Sequence, residues 1–367
     1  MSKRVFISTR KGLFTISPLN GKWAVTDAHF VGDNSPMVLV DRRDGAVYAA
    51  LDHGHFGGKL HRSDDGGSTW KEIAVPKYPE KPEGAPPEID GFGKEIPWSL
   101  KLIWSLEAGG APGELWCGTI PGGLFHSTDR GDSWSINRPL WDHPDRKKWM
   151  GGGADQPGIH SICLDPRDSR TLVAGVSCGG CWLTRDNGDT WEVASQGMRA
   201  EFMPPEKQFD PIVQDPHRVV QSPSSPDVFW TQHHNGIFRS TDGCRKWEEI
   251  TAQRPGQSGF AVVVHPHDAD TAWFIPMVKD EKRYPPDGKL VVLKTRDGGR
   301  SFQEQRVGLP QHHNYDLVFR HCLDIDDSGD LLVFGSTTGN VYVSENGGAA
   351  WQKLEEHLPP VYAVRMG

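Results

Sequence analysis

The chain has 367 residues, with 40 Lys and Arg against 48 Asp and Glu and a formal net charge of −8. No Lys/Arg-rich run is present, so neither nucleic acid nor an anionic membrane is the expected partner, and no stretch approaches the roughly 18 consecutive apolar residues of a membrane span. Six cysteines spread over so long a chain suit free thiols in a cytoplasmic protein better than a disulfide framework.

The first element, VFISTRKGLFTI, enters strand-like alternation with no apolar leader before it. SPLNGKW (17–23) then reads as a shortened turn motif. Fuller copies follow as HRSDDGGSTW at 61–70, HSTDRGDSW at 126–134, LTRDNGDTW at 183–191, RSTDGCRKW at 239–247, KTRDGGRSF at 294–302 and VSENGGAAW at 343–351. The shared form is Ser/Thr-x-Asp-x-Gly-x-Ser/Thr-aromatic. A short Asp or Ser side chain bonds backbone amides just ahead of it, Gly supplies the positive φ of the turn, and the aromatic ring fills space between sheets. Cys244 stands in for the Gly, Asn346 for the Asp, Lys246 and Ala350 for the hydroxyl, and Phe302 for the Trp, a freedom that marks a structural fastener rather than a catalytic group.

Three β-rich runs precede each full copy; in the third they are LKLIWSLE, ELWCGTI and GGLFHS, and the motif turns into a fourth around Trp134. The terminal aromatics recur about every 50 to 60 residues, which suits one four-stranded propeller blade per copy. The expected fold is therefore all-β, a seven-bladed propeller of four-stranded antiparallel blades forming a single domain. The predicted blades are 1–30 with 361–367, then 36–75, 99–138, 159–195, 217–251, 259–306 and 318–355. The first copy has strands B to D but no A, and VYAVRMG at the end supplies it, closing the ring and hiding two sheet edges.

The repeats resemble the Asp-box, or bacterial neuraminidase, repeats of sialidases, xyloglucan-cleaving glycoside hydrolases, the sortilin luminal domain and photosystem assembly factors. The likeness spans the whole chain and implies the fold; it does not select an activity, because enzymes, receptors and assembly factors share it. Sialidases have six blades, an Arg-Ile-Pro motif, three arginines and a Tyr–Glu pair. The Arg-Ile-Pro motif is absent here and seven blades are counted, so sialidase chemistry is not expected.

If strand A lines the channel and the boxes join C to D, the D–A and B–C loops share the opposite face. Long D–A loops at 71–98, 135–159 and 192–216 and a B–C insertion at 276–289 point to a site there. Most of the 16 histidines fall in the loops or where strand A begins. His160, His217, Phe260 and Phe319 align at the channel entry, with Arg320 one residue on. The candidate substrate-binding residues are His53, His55, His160, His217, His233, His234 and Arg320, and the candidate catalytic carboxylates are Asp155, Asp210 and Asp215. Three readings stand for the imidazoles: ordinary polar lining, a substrate site, or a divalent metal held by His160, His217 and His233. Cys178 and Cys181 have C-x-x-C spacing without a second pair, which reads as two incidental thiols. Trp98, Trp141 and Trp149 serve equally as sugar platforms or as loop anchors. The carboxylates Glu88 and Asp90, Asp142 and Asp145, and Glu201 and Glu206 are of the kind glycoside hydrolysis needs. The function expected is a glycoside-hydrolase-like hydrolase acting on a polar, sugar-containing small molecule or carbohydrate ligand. The alternatives are a non-catalytic binding or assembly propeller and a His-ligated metal enzyme.

Overall fold

A computed structural model describes the chain apart from residues 1–2, 90–92, 94, 152–155, 253–254, 257 and 355. The described strands form seven four-stranded antiparallel sheets. Six sheets run in chain order from the axis outward, as in Pro216–Gln221, Phe229–His233, Gly236–Ser240 and Glu248–Ile250 of the fifth blade. The first blade takes its inner strand from the other end of the chain: Val361–Met366 pairs with Val5–Thr9, followed outward by Gly12–Leu19 and Lys22–His29. This is the closure that the sequence predicts.

Burial explains why the second strands read as continuous apolar runs rather than alternating ones. Val5–Thr9, Leu115–Ile120, Leu172–Val176 and Phe229–His233 are buried at every position, because neighbouring blades cover both faces. Trp116, Trp230 and Trp273 are the largest of these side chains and are 0–1% exposed. Apart from the eight-residue Lys22–His29 of the first blade, the outer strands are short, two residues at Ser135–Ile136, Glu192–Val193 and Gln352–Lys353, so little free edge is left there for another chain to pair with.

The six full boxes share one set of bonds. In the fourth blade Thr184 Oγ1 accepts from Gly188 N at 2.9 Å and donates to Asp186 Oδ1 at 2.7 Å, while Asp186 Oδ1 also accepts from Thr190 N at 2.9 Å. The Thr190 hydroxyl and amide, then Thr184, hold the Asp186 carboxyl down at about 2. Asn346 does the same work with one oxygen, accepting from Ala350 N and Ser344 Oγ at 2.9 Å each. Cys244 adopts the positive φ of 65° that Gly takes elsewhere and keeps the amide bond to Ser240. The aromatics then tie each blade to the one before it: the indole nitrogens of Trp134 and Trp247 donate to Ala74 O and Ala194 O, just past the outer strands of the preceding blades. SPLNGKW differs from these six. Asn20 and Gly21, with φ of 51° and 79°, form a two-residue hairpin between Leu19 and Lys22.

One irregularity recurs at the axis. Near its start, the inner strand of five blades carries one extra residue against its neighbour: at Ser35 and Pro36 opposite Leu51, at Trp104, at His160, at His217, and at Phe260 and Ala261 opposite Ile275. Tyr362 is the extra residue of the closing strand. A bulge re-aims the side chain it frees, and the mouth of the channel receives Pro36, Trp104, Phe260 and Tyr362 in this way from around the ring.

Removing residues 361–367 is expected to abolish cooperative unfolding, since Val361, Ala363 and Val364 are 0% exposed and their loss bares Val5–Thr9. Circular dichroism melts check this; a chain ending at Pro360 that melts like the full chain would show that closure by this strand is dispensable.

Candidate functional site

The upper mouth opens into a cavity of about 810 Å³. Its walls are aromatic residues from the inner strands or the segments leading into them: Trp104, Phe260, Phe319 and Tyr362. Phe319 lies edge-on to Phe260 and is stacked with Tyr362, centroids 5.9 and 6.4 Å apart. The long connections reach the cavity with Met150, Phe202 and Met203, and the 276–289 insertion brings Asp280, Glu281 and Arg283. Arg283 bonds Asp280 at 2.8 Å and lies 5.3 Å over Phe260, which fixes the insertion against the wall.

Asp215 forms one polar corner of the cavity. Ser177 Oγ and Cys178 N donate to its Oδ1 at 3.3 and 3.1 Å, while its Oδ2 lies 3.3 Å from both His217 Nε2 and His234 Nδ1. The backbone is held as firmly: Asp215 N donates to His233 Nε2 at 3.1 Å, and His234 N donates to Asp215 O at 3.0 Å. Burial alone would raise the Asp215 carboxyl, but His217, His234 and Arg320 outweigh it and hold the group well below the usual carboxylate range. For His234 burial is likewise outweighed, by Asp215 and then Asp280, and the imidazole is raised. His217 is lowered because burial exceeds the pull of Asp215.

Arg320 faces the same space. Its guanidinium lies 4.8 Å over Trp104 and 4.9 Å over Phe260. Among the described residues its Nε has no hydrogen-bond partner, and burial pushes it down to about 10 against the opposing charge of Asp215. Beneath this layer His321 Nδ1 accepts from Arg218 at 2.9 Å and from Arg365 at 3.1 Å. This contact separates the upper cavity from a lower one of about 530 Å³ bordered by Glu107 and Asp324.

The sequence candidates divide accordingly. Asp215, His217, His234 and Arg320 come together. His233 is 0% exposed and packs edge-on to Phe238 behind Asp215. His160 is also 0% exposed and lies edge-on to Trp104, with Nδ1 2.9 Å from Ser161 Oγ. The described group with metal-ligand spacing is Asp215, His217 and His234, whose ligating atoms all lie within 4.8 Å of one another; His160 and His233 are not members of it. Asp210 accepts from Ile212 N at 3.0 Å and does not line the cavity. His53 sits 3.6 Å from Asp33, and exposed His55 lies tilted against Phe56; both are in the second blade and neither lines the cavity. Asp155 lies outside the described residues, as does Asp90.

Other residues are resolved in the same way. Trp141 and Trp149 are buried, Trp98 lies edge-on to Trp141, and a 2.5 Å Arg146–Glu88 ion pair joins two of the long loops. All three tryptophans are loop anchors. Cys178 faces the cavity while Cys181 packs among Val173, Leu183 and Phe238, and all six cysteines are free thiols. The wall residues Trp104 and Tyr362 and the insertion residues Asp280 and Arg283 are absent from the sequence candidates. Extending the column of His160, His217 and Phe260 around the ring reaches Trp104 and Tyr362.

No protein family model matches the sequence. Over 220 residues the chain is 34% identical to a probable oligoxyloglucan-reducing end-specific xyloglucanase of Neosartorya fischeri, a match covering 53% of this chain and 25% of that protein. The xyloglucanase of glycoside hydrolase family 74 from Xanthomonas campestris superposes with a TM-score of 0.65 at 16% identity, over 96% of this chain and 52% of its own. A structure of YCF48 bound to D1 peptide superposes at 0.51 and 17% identity, over 83% and 78%. The structural likenesses show the propeller fold, and the chain spans about a quarter of the curated relative and half of the solved enzyme.

The neutral imidazoles make stability depend on pH. Burial holds His233 down at about 3, so below the unfolded value of about 6.5 the unfolded chain takes up a proton that the folded chain refuses. Stability therefore falls on acidification, by up to about 1.4 kcal/mol per pH unit for this one group. His160, His217 and His321 act in the same direction, and His234 acts oppositely. His233→Gln keeps an acceptor for Asp215 N and is expected to flatten urea-derived stability between pH 6.5 and 5 by that slope. Parallel profiles for the two proteins would contradict it.

Proposed function

We propose that this chain is a glycoside-hydrolase-like hydrolase that binds a polar, sugar-containing small molecule in the upper cavity. One observation carries the reading: the Asp215 carboxylate, the His234 imidazole and a guanidinium with an unpartnered nitrogen converge on an aromatic-walled cavity of about 810 Å³, with His217 buried behind the carboxylate. Sugar rings present apolar faces and a rim of hydroxyls. Tyr362 suits the faces, and Arg320, held over Trp104 and Phe260, suits an oxygen on the rim. Activation of the attacking water falls to Asp215 with the two imidazoles that face it. Asp280, carried over the cavity by the insertion, is the second carboxylate that glycoside cleavage requires. The partial identity to a xyloglucanase supports the substrate class, the boxes support membership in the Asp-box repeat group, and the free thiols support a reducing, cytoplasmic compartment.

A second reading, a non-catalytic propeller that holds a partner segment, is favoured by the shared fold with a peptide-bound structure. A buried carboxylate facing two imidazoles supports the first reading over the second.

The test is hydrolysis of a panel of nitrophenyl glycosides and xyloglucan oligosaccharides. Turnover is expected for the native chain and is expected to fall by at least about 100-fold in Asp215→Asn, with Arg320→Ala raising KM more than it lowers kcat. Saturable binding without turnover across the panel would transfer the protein to the second reading.

A further inference from the structure

Asp215, His217 and His234 are arranged in a way that hydrogen bonding alone does not complete. His217 Nδ1 lies 2.6 Å from Gly259 O; a carbonyl only accepts, so Nδ1 carries the proton. In the neutral ring Nε2 is then a bare lone pair, and it faces Asp215 Oδ2 at 3.3 Å. Two acceptors at that distance repel unless something positive lies between them. His217 Nε2, Asp215 Oδ2 and His234 Nδ1 all lie within 4.8 Å of one another, so a single cation among them would be shared by all three.

We infer that a divalent first-row transition ion is bound between Asp215 Oδ2, His217 Nε2 and His234 Nδ1. Bonds of about 2.1 Å from one ion to such atoms place neighbouring ligands about 3.0 to 3.4 Å apart, and Oδ2 stands 3.3 Å from each imidazole nitrogen. The surroundings have the form of an outer ligand shell: Gly259 O fixes the His217 tautomer, and Ser177 Oγ and Cys178 N occupy Asp215 Oδ1, leaving Oδ2 for the ion. Two neutral imidazoles and one carboxylate select zinc and its first-row neighbours over magnesium and calcium, which take oxygen. Three protein ligands beside an open cavity leave a coordination position for water or a substrate oxygen, the pattern of catalytic rather than structural sites. The inference deepens the hydrolase reading, since it names what would activate the water, and it rests on that reading only for the ion's catalytic use.

The experiment is direct binding. Native protein made without a histidine tag is stripped by dialysis against chelator and titrated with zinc chloride, and in parallel with manganese chloride, with the ion counted by elemental analysis. One ion per chain is expected. His234→Ala, at a partly exposed position, is expected to weaken zinc binding by more than about 100-fold, beyond the cost of losing an outer-shell partner. His313→Ala, on a distant loop, is expected to bind as the native chain does. Should His217→Ala fail to fold, cobalt loading of the native chain provides the second readout, with imidazole-coordinated visible bands expected that His234→Ala lacks. No zinc or manganese uptake by the native chain, or undiminished uptake by His234→Ala, overturns the inference. Hydrolysis that persists in the chelated protein removes the ion from catalysis, whereas stoichiometric zinc without hydrolysis of any substrate keeps the site and removes the hydrolase reading.

Discussion

The hydrogen bonds between Val5–Thr9 and Val361–Met366 are the constraint on which the rest of the molecule depends. They join the two ends of the chain, and the loop-closure entropy of bringing them together is repaid only when every blade between is in place. The pairing does more than seal an edge. The closing strand delivers Tyr362 to the upper cavity and Arg365 to the contact with His321, and Val364 N donates to His321 O at 2.8 Å, tying the seventh blade to the first. Scaffold and site therefore share one element, and a defect at the seam reaches the channel directly.

Closure sets the circumference, and the bulges at the start of the inner strands decide what faces the axis. A regular strand would alternate its side chains between the two neighbouring blades. The extra residue at Trp104, His160, His217 or Tyr362 breaks that alternation once, near the start of the strand in each of these blades. Seven sheets converge there, so the freed side chains crowd one another and exclude water. Desolvation then sets their chemistry: burial lowers His160, His217, His233 and His321, while the groups around Asp215 hold its carboxyl low against burial.

Fold and site were legible in the sequence to different degrees, for physical reasons. The boxes repeat because each must satisfy the same amides, so Asp186 and its counterparts stand at fixed offsets and the blade count follows from them. The apolar closing strand is equally visible, since its pattern has no other partner. Spacing located the histidines at the mouth but could not say which of two adjacent rings turns inward. His233 lies behind Asp215 and His234 beside the cavity, a difference made by strand pairing at Gly236 that local sequence does not encode. Asp210 and Asp215 look alike in sequence; one caps a turn and the other accepts bonds from Ser177, Cys178 and His234. Trp104 and Tyr362 were passed over because a bulge leaves no local signature. SPLNGKW shares the terminal Trp of the boxes but lacks the Asp, and without that acceptor the turn closes as a two-residue hairpin.

The division of labour between the two faces explains how one architecture is shared with xyloglucanases and with a peptide-binding protein at low identity. On the underside the charges are exposed and each carboxylate is saturated by its own turn, so substitutions such as Asn346 or Cys244 leave the bonding intact. On the upper face the polar groups are buried and bonded across blades, and they are not saturated: Arg320 Nε, His160 Nε2 and His321 Nε2 lack hydrogen-bond partners among the described residues. A scaffold tolerates no such groups without cost. Such atoms also occur at the boxes, on Arg62, Trp70, Arg130, Arg239 and Trp351; what sets Arg320 and His321 apart is that they line the upper cavity, where a ligand's own oxygens can complete the bonding that the protein leaves open.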